Sequence, residues 1–272
     1  MLSFPNAKIN IGLNILGKRP DGFHDLQTIF YPIKINDIVE IISAPEGDEA
    51  VTYSQTGIEI DGDVNDNLCI KAYTLLKKDY PTIPNIELHL HKNIPMGAGL
   101  GGGSADGAFT LQLINKKYNL DLSDEMLLKY SLQLGSDCPF FIYNKPCFAT
   151  GRGEVLKNIT LDLSAFKIVV INPGIHINTG WAFKQLNLQT TQHNLEEAIL
   201  QPIDHWKTVI INDFEEAVFT AHPSIAAIKS TLYNHGALYA SMSGSGSTVY
   251  GIFKEKPSAP FNFPKAYFQK WV

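Results

Sequence analysis

Pro95-Met96-Gly97-Ala98-Gly99-Leu100-Gly101-Gly102-Gly103-Ser104 sets five glycines in the eight residues from Gly97 to Ser104, between a strand-like stretch and a helix-like one. Glycines lack a Cβ, so successive backbone N–H groups can turn toward one concavity, and a helix that follows adds its unpaired amides and positive dipole end. The segment reads as a cradle for phosphate. It is not a Walker loop, because Gly103 stands where a lysine must precede Ser104. Gly97, Gly99 and Gly102 spell GxGxxG, but a dinucleotide fold also needs a second strand ending in an acid about twenty residues on. Lys116-Lys117-Tyr118-Asn119 stands there instead.

The chain of 272 residues has room for two domains, each with its own core. Its 44% hydrophobic and 18% charged residues are those of a soluble globular protein, and no apolar run approaches the length of a membrane span. The start, Met1-Leu2-Ser3-Phe4-Pro5-Asn6-Ala7-Lys8, lacks the pattern of a signal peptide, so a cytoplasmic location is expected. A net charge of −5 disfavours a surface for polymeric nucleic acid, so the phosphate belongs to a small molecule. Cys69, Cys138 and Cys147 lie far apart without CxxC spacing and read as reduced, buried thiols. His89 and His91 share one face of a strand, with no acid or cysteine cluster nearby to complete a metal site.

From Ala7 to Ile15 apolar residues alternate with Lys8, Asn10, Gly12 and Asn14, a half-buried strand with a polar face fit to line a cleft. Strands are expected at 26–33, 37–42, 51–53, 58–60, 86–90, 140–143, 147–150, 166–172, 237–242, 248–253 and 266–269. Helices are expected at 67–78, 104–117, 123–134, 179–188, 196–200, 213–220 and 224–234, with Ser123 capping the third. Strands and helices mixed without a βαβ repeat imply an α+β protein. The turn at Gly151-Arg152-Gly153-Glu154 suggests a boundary between domains 1–152 and 153–272.

Four further stretches carry the polar and glycine signals of an active site. They are Pro5-Asn6-Ala7-Lys8-Ile9-Asn10, Arg19-Pro20-Asp21-Gly22-Phe23-His24-Asp25-Leu26-Gln27-Thr28, Leu134-Gly135-Ser136-Asp137-Cys138-Pro139-Phe140-Phe141, and Met242-Ser243-Gly244-Ser245-Gly246. With the glycine loop, and in this order across nearly the whole chain, they resemble the GHMP kinase superfamily. The Asp-Gly-Phe-His and Gly-Ser-Asp-Cys-Pro blocks narrow the resemblance to kinases acting on 4-diphosphocytidyl-2-C-methyl-D-erythritol.

That resemblance implies a ribosomal-protein-like ATP-binding domain followed by a ferredoxin-like domain on the substrate side, with the active site in the cleft between them. It implies transfer of the γ-phosphoryl group of ATP to the 2-hydroxyl of the acceptor, in non-mevalonate isoprenoid precursor synthesis. Pro95, Met96, Gly97, Ala98, Gly99, Leu100, Gly101, Gly102, Gly103 and Ser104 are expected to wrap the nucleotide phosphates. Ser104 is also a candidate ligand for Mg²⁺, and Lys92, with Asn65 or Asn67, a candidate for the adenine end. Phosphoryl transfer needs positioning and charge neutralisation more than covalent help. An alcohol is a poor nucleophile at neutral pH, so a carboxylate general base is natural, and Asp137 takes that part with Lys8 as its cationic partner. Phe23 and Phe183 are expected to sandwich the cytosine, with His24 at its edge and Asn10 and Thr179 on the methylerythritol or phosphate portion. Ser243, Gly244, Ser245 and Gly246 form the superfamily's third motif. The partners implied are ATP and the cytidylyl acceptor, on a monomer or weak homodimer.

Asp106-Gly107 departs from the asparagine or aspartate followed by alanine of many relatives. It adds an acid near the phosphate site and a glycine that weakens a helix by roughly 1 kcal/mol. Other acceptors (homoserine, mevalonate) and a decarboxylase on the same fold remain open as alternatives. A decarboxylase would need a lysine or arginine anchor for a carboxylate, and no obvious one appears in this sequence; the acidic net charge and the Asp137 block speak against an RNA-binding module.

Overall fold

The computed structural model describes residues 1–45, 47, 49–60, 62–186 and 194–272. In chain order the strands are β1 (Leu2–Ser3), β2 (Asn6–Lys18), β3 (His24–Asn36), β4 (Ile38–Ser43), β5 (Val51–Gly57), β6 (Ile86–Lys92), β7 (Cys147–Thr150), β8 (Val155–Asn158), β9 (Lys167–Asn172), β10 (Tyr239–Met242), β11 (Val249–Phe253) and β12 (Phe268–Trp271). The helices are α1 (Leu68–Asp79), α2 (Gly102–Tyr118), α3 (Asp124–Leu134), α4 (Cys138–Tyr143), α5 (Thr179–Gln185), α6 (Leu195–Ala198), α7 (Ile203–Val209), α8 (Glu215–Ala221) and α9 (Pro223–Asn234).

The chain forms two units that are not contiguous in sequence. One holds residues 1–7, 34–96 and 101–145; the other holds 8–33, 97–100 and 146–272. A single boundary near residue 152 would leave residues 8–33 with the first unit, whereas their contacts join them to the C-terminal half.

In the first unit a sheet of order β1-β4-β6-β5 carries α1 to α4. Strand parity sends Ile86, Leu88, Leu90 and Lys92 of β6 inward, while Glu87, His89 and His91 take the other face. His89 and His91 hydrogen-bond there to Ser54 and Thr56, and among the described residues no group of three or more His, Cys, Asp or Glu side chains is placed to hold a metal. Asn67 accepts from Cys69 N–H to start α1, whose buried stripe is Cys69, Ala72, Tyr73 and Leu76. Ser123 caps α3 through Met126 N–H, as its sequence predicts. Gly107 has a packing reason: a Cβ there would lie 2.8 Å from Leu68 Cβ, so glycine lets α1 and α2 approach.

In the second unit lie two sheets, β2-β3-β7-β8 and β10-β11-β9-β12. The latter is antiparallel throughout. Numbering its four strands by their order in the chain gives 2-3-1-4, the ferredoxin-like order expected, although the residues before β12 form no helix. Its core joins Val169, Ile171, Met242 and Val249 to Val218, Ile225, Ile228 and Leu232 of α8 and α9.

Two expected strands are not strands. Residues 140–143 belong to α4, because a short apolar run bounded by turns is equally a buried helix, and Pro139 fits the first turn. Residues 58–60 leave the sheet because β6 ends at Lys92, whose carbonyl takes the last bond from Ile58 N–H. The helix expected at 179–188 is present as Thr179–Gln185, and residues 187 and 188 lie outside the described residues. All three cysteines are free and buried, and burial pushes the thiols of Cys69, Cys138 and Cys147 up. Among the described residues no helix is long and apolar enough to cross a membrane.

Candidate functional site

In the second unit, parity along β2 turns Lys8 and Asn10 to the same side, and both side chains are buried. The Lys8 ammonium donates to Asn10 Oδ1 and, at 3.1 Å, to the carbonyl of Gly99. It also lies 5.0 Å from the centre of the Phe30 ring. Asn10 N–H donates to Ser243 Oγ at 3.0 Å, and that hydroxyl donates to Gly99 O at 2.8 Å. Asn10 Nδ2 donates to Thr28 Oγ1, which passes the chain on to Gly12 O. Three stretches remote in sequence (the first strand, the glycine loop and the third motif) thus meet at one serine hydroxyl. Gly99 can be nothing larger: at φ +77° its added Cβ would sit 1.9 Å from Ser243 O.

The same unit holds the aromatic residues. His24 stacks on Phe183 with centroids 4.4 Å apart and planes 14° from parallel, and Phe214 meets Phe183 edge-on at 4.9 Å. Burial and nearby Lys18 hold the His24 imidazole below its ordinary value, so the stacked ring is neutral at pH 7. Phe23 is 52% exposed, with the Arg152 guanidinium 4.7 Å from its ring centre. His24, rather than Phe23, is the ring that lies against Phe183. Thr179 opens α5 beside the Asn178 cap, and its hydroxyl is 3.0 Å from that of Ser245.

In the first unit, Gly101 takes a left-handed φ of +70° and launches α2, the helix that carries Gly102, Gly103 and Ser104 in its first turn. The Ser104 hydroxyl is near enough to the Cys138 thiol to favour its ionised form, against the larger upward push of burial. Asp137 directly precedes α4, and its carboxyl makes no cap bond to that helix.

Lys92 stands elsewhere. It is 0% exposed, and its ammonium is held by Asp37 and, at 2.7 Å, by Asp106, both buried. Strand parity put a lysine into a core, and two acids neutralise it there. The remaining oxygen of Asp37 accepts from Asn93 N–H and Ile94 N–H, so the triad braces both the run into Pro95 and the first turns of α2. Asp106 is thus not spare negative charge near phosphate but one arm of this brace. Lys92 supports the loop from behind.

Burial, and Asp37 alongside, push the Asp106 carboxyl up to about 7 against the attraction of Lys92. A folded value above the unfolded 3.8 means that the folded protein holds this proton more tightly. Stability from this group therefore falls as pH rises from the unfolded value to the folded one, and then levels off. The urea midpoint is expected to drop between about pH 4 and about pH 7, and Asp106→Asn to flatten that drop. Equal slopes in the two proteins would remove Asp106 from the account.

The model of the GHMP kinases N terminal domain matches residues 67–145, and that of the GHMP kinases C terminal matches residues 192–261. A 4-diphosphocytidyl-2-C-methyl-D-erythritol kinase of Bacteroides thetaiotaomicron is 49% identical over 260 residues, covering 96% of this chain and 94% of its own. The chain belongs to the GHMP kinases. A second relative of the same name, from Azobacteroides pseudotrichonymphae, is 50% identical over 97% of this chain and 98% of its own. Among solved structures, a 4-(cytidine 5'-diphospho)-2C-methyl-D-erythritol kinase superposes with TM-score 0.79 at 26% identity, covering 93% of this chain and 90% of that one. A homoserine kinase from Cytophaga hutchinsonii reaches TM-score 0.69 over 98% of this chain and 93% of its own, but at 14% identity, which speaks for the shared fold alone. This GHMP kinase is an ATP-dependent phosphotransferase, and its sheets, helices and glycine motifs are those of that two-domain fold.

Of the residues singled out in the sequence, Lys8, Asn10, Gly99 and Ser243 are joined by hydrogen bonds, as are Thr179 and Ser245, and His24 and Phe183 are in contact. Sequence reasoning quoted Thr28 and Arg152 within longer stretches but gave neither a role, and it did not single out Asp37 or Asn212. Each is a single polar residue with no spacing signal of its own.

Proposed function

We propose that this kinase phosphorylates the 2-hydroxyl of 4-diphosphocytidyl-2-C-methyl-D-erythritol, with Asp137 as general base and Lys8 as the cation that offsets transition-state charge. The observation that carries the reading is the hydrogen-bonded junction of Lys8, Asn10, Gly99 and Ser243. It locks a lysine and the glycine loop into fixed relation, as electrostatic catalysis of phosphoryl transfer requires. The acceptor named for relatives at 49% and 50% identity supports the choice of substrate.

Backbone amides of residues 97–103 take the nucleotide phosphates in this reading. Mg²⁺ keeps several waters and needs one or two protein oxygens beside those phosphates. Ser104, whose hydroxyl stands in the first turn of α2, is the oxygen we assign to it. When bound, the ion supplies charge screening at the transferred group. The cytosine takes the place that His24 holds on Phe183, with Phe23 on its other side and His24 turned to its polar edge.

The direct test is a coupled ADP-release assay offering the cytidylyl acceptor, homoserine and mevalonate in turn. Turnover confined to the first is expected, and turnover with either of the others instead would overturn the acceptor assignment. Phe183→Ala is expected to raise the KM for the cytidylyl acceptor about tenfold, since stacking on a base is worth ~1–3 kcal/mol. The ATP KM should hold steady, and a change confined to ATP would show the aromatic clamp to be misassigned.

A further inference from the structure

Residues 210–215, which run from the end of α7 into the start of α8, lie against both β2 and the third glycine motif. Leu13 N–H donates to Ile211 O at 2.9 Å, and Asp213 N–H donates to Leu13 O at 2.8 Å, forming a short parallel bridge. The Asp213 carboxylate accepts from Ile15 N–H and Asn14 Nδ2, while that of Glu215 accepts from Met242 N–H, the Ser241 hydroxyl and Lys229. Asn212, 3% exposed, is the centre of this arrangement. Its amide spends both protons on the third motif, donating to Met242 O and Gly244 O at 2.8 Å each, and its Oδ1 accepts from Phe214 N–H.

The consequence follows from peptide planarity. Across a trans peptide the C=O and the next N–H point in opposite directions. Pinning Gly244 O onto Asn212 therefore turns Ser245 N–H away from it. Gly246 N–H closes the turn by donating to Ser243 O, which leaves Ser245 at the tip, half-buried between buried neighbours. Among the described residues Ser245 N–H meets no protein acceptor, and the Ser245 and Thr179 hydroxyls stand 3.0 Å apart beside it. On the other side Gly244 is hemmed in: a Cβ there would lie 3.3 Å from Gly99 Cα and 3.4 Å from Asn10 Oδ1. The turn is held from both sides in one orientation.

We propose that Asn212 is a positioning residue that presents Ser245 N–H, with the Ser245 and Thr179 hydroxyls, to a phosphate of the acceptor's diphosphate. The inference rests on the cytidylyl acceptor assigned above. Asn212→Asp removes both donors and turns a carboxylate toward two carbonyls. Asn212→Ser, a milder change, keeps one donor. Steady-state kinetics on the full chain, with calorimetric binding of cytidine diphosphate, read the result.

Asn212→Asp is expected to raise the acceptor KM about tenfold or more and to weaken cytidine diphosphate binding alike, with ATP KM within about twofold and Asn212→Ser in between. A fall in kcat and in active fraction with an unchanged acceptor KM marks a merely structural residue and overturns the proposal. So does a rise in ATP KM equal to that for the acceptor. If the aspartate variant does not fold, the same ratio of KM values in Asn212→Ser decides. Wild-type protein that binds cytidine diphosphate in an Asn212-dependent way yet does not turn over the cytidylyl acceptor contradicts the acceptor reading and not this one.

Discussion

Asp137→Ala is expected to lower kcat by about 10²–10⁴-fold, the range typical of a lost general base, while calorimetric affinity for ATP stays within a few fold. The acceptor hydroxyl holds its proton tightly at neutral pH, so attack on the γ-phosphorus needs a group to receive that proton as the bond forms. Asp137 suits this by where it sits. It stands directly before α4, within the Gly-Ser-Asp-Cys-Pro block. Asp137→Asn keeps the shape and removes the basicity, so it should lose turnover almost as completely. Wild-type turnover in either variant ends the assignment. A loss of ATP binding as large as the loss of turnover would instead place the residue in nucleotide recognition.

Gly99→Ala should have the largest effect of any single methyl group added to the glycine loop. The left-handed backbone at φ +77° costs an alanine ~1–2 kcal/mol. That is the smaller part, because the new Cβ would lie 1.9 Å from Ser243 O and 2.8 Å from Ser243 C, and these are main-chain atoms that cannot swing aside. Relief requires moving the loop, which breaks the bonds that Lys8 and Ser243 make to Gly99 O. Turnover is expected to fall by about a hundredfold or more, as for loss of a preorganised donor, together with a lower Tm. Gly103→Ala is the contrast for stability. It lies in the first turn of α2 and its Cβ would meet only Met96 Cε at 3.6 Å, so its Tm should hold or rise. If Gly99→Ala melts and turns over like the parent protein, the interlock of the two glycine motifs does not matter to the enzyme.

Much of this was legible in the sequence, for reasons that particular residues make plain. The alternation from Ala7 to Ile15 announced β2 and the side on which Lys8 and Asn10 lie, because parity in a strand is a rigid rule. Ser123 marked the start of α3 through cap chemistry that acts locally. Lys92 shows where such reasoning stops. Its parity with Leu88 and Leu90 places it inside, but only the arrival of Asp37 and Asp106 from other elements makes a buried ammonium tolerable, and no local pattern forecasts that meeting. The apolar run at 140–143 was ambiguous for a related reason, since a segment shorter than two helical turns shows no period. Asn212 was invisible altogether: one asparagine in a loop has no signature until the carbonyls it holds are known.

The interleaving of the two units bears on how the chain is made. Residues 8–33 leave the ribosome early, but the unit they belong to is finished only by residues 146–272, and the whole of 34–96 and 101–145 is synthesised in between. An early-emerging β2 and β3 must therefore wait with Leu13 and Ile15 uncovered, or lean on temporary neighbours, until the tail of the polypeptide arrives. Neither unit can be obtained by stopping translation at one point. Nascent chains released after residue 152 should be prey to proteases and chaperones in a way the finished protein is not.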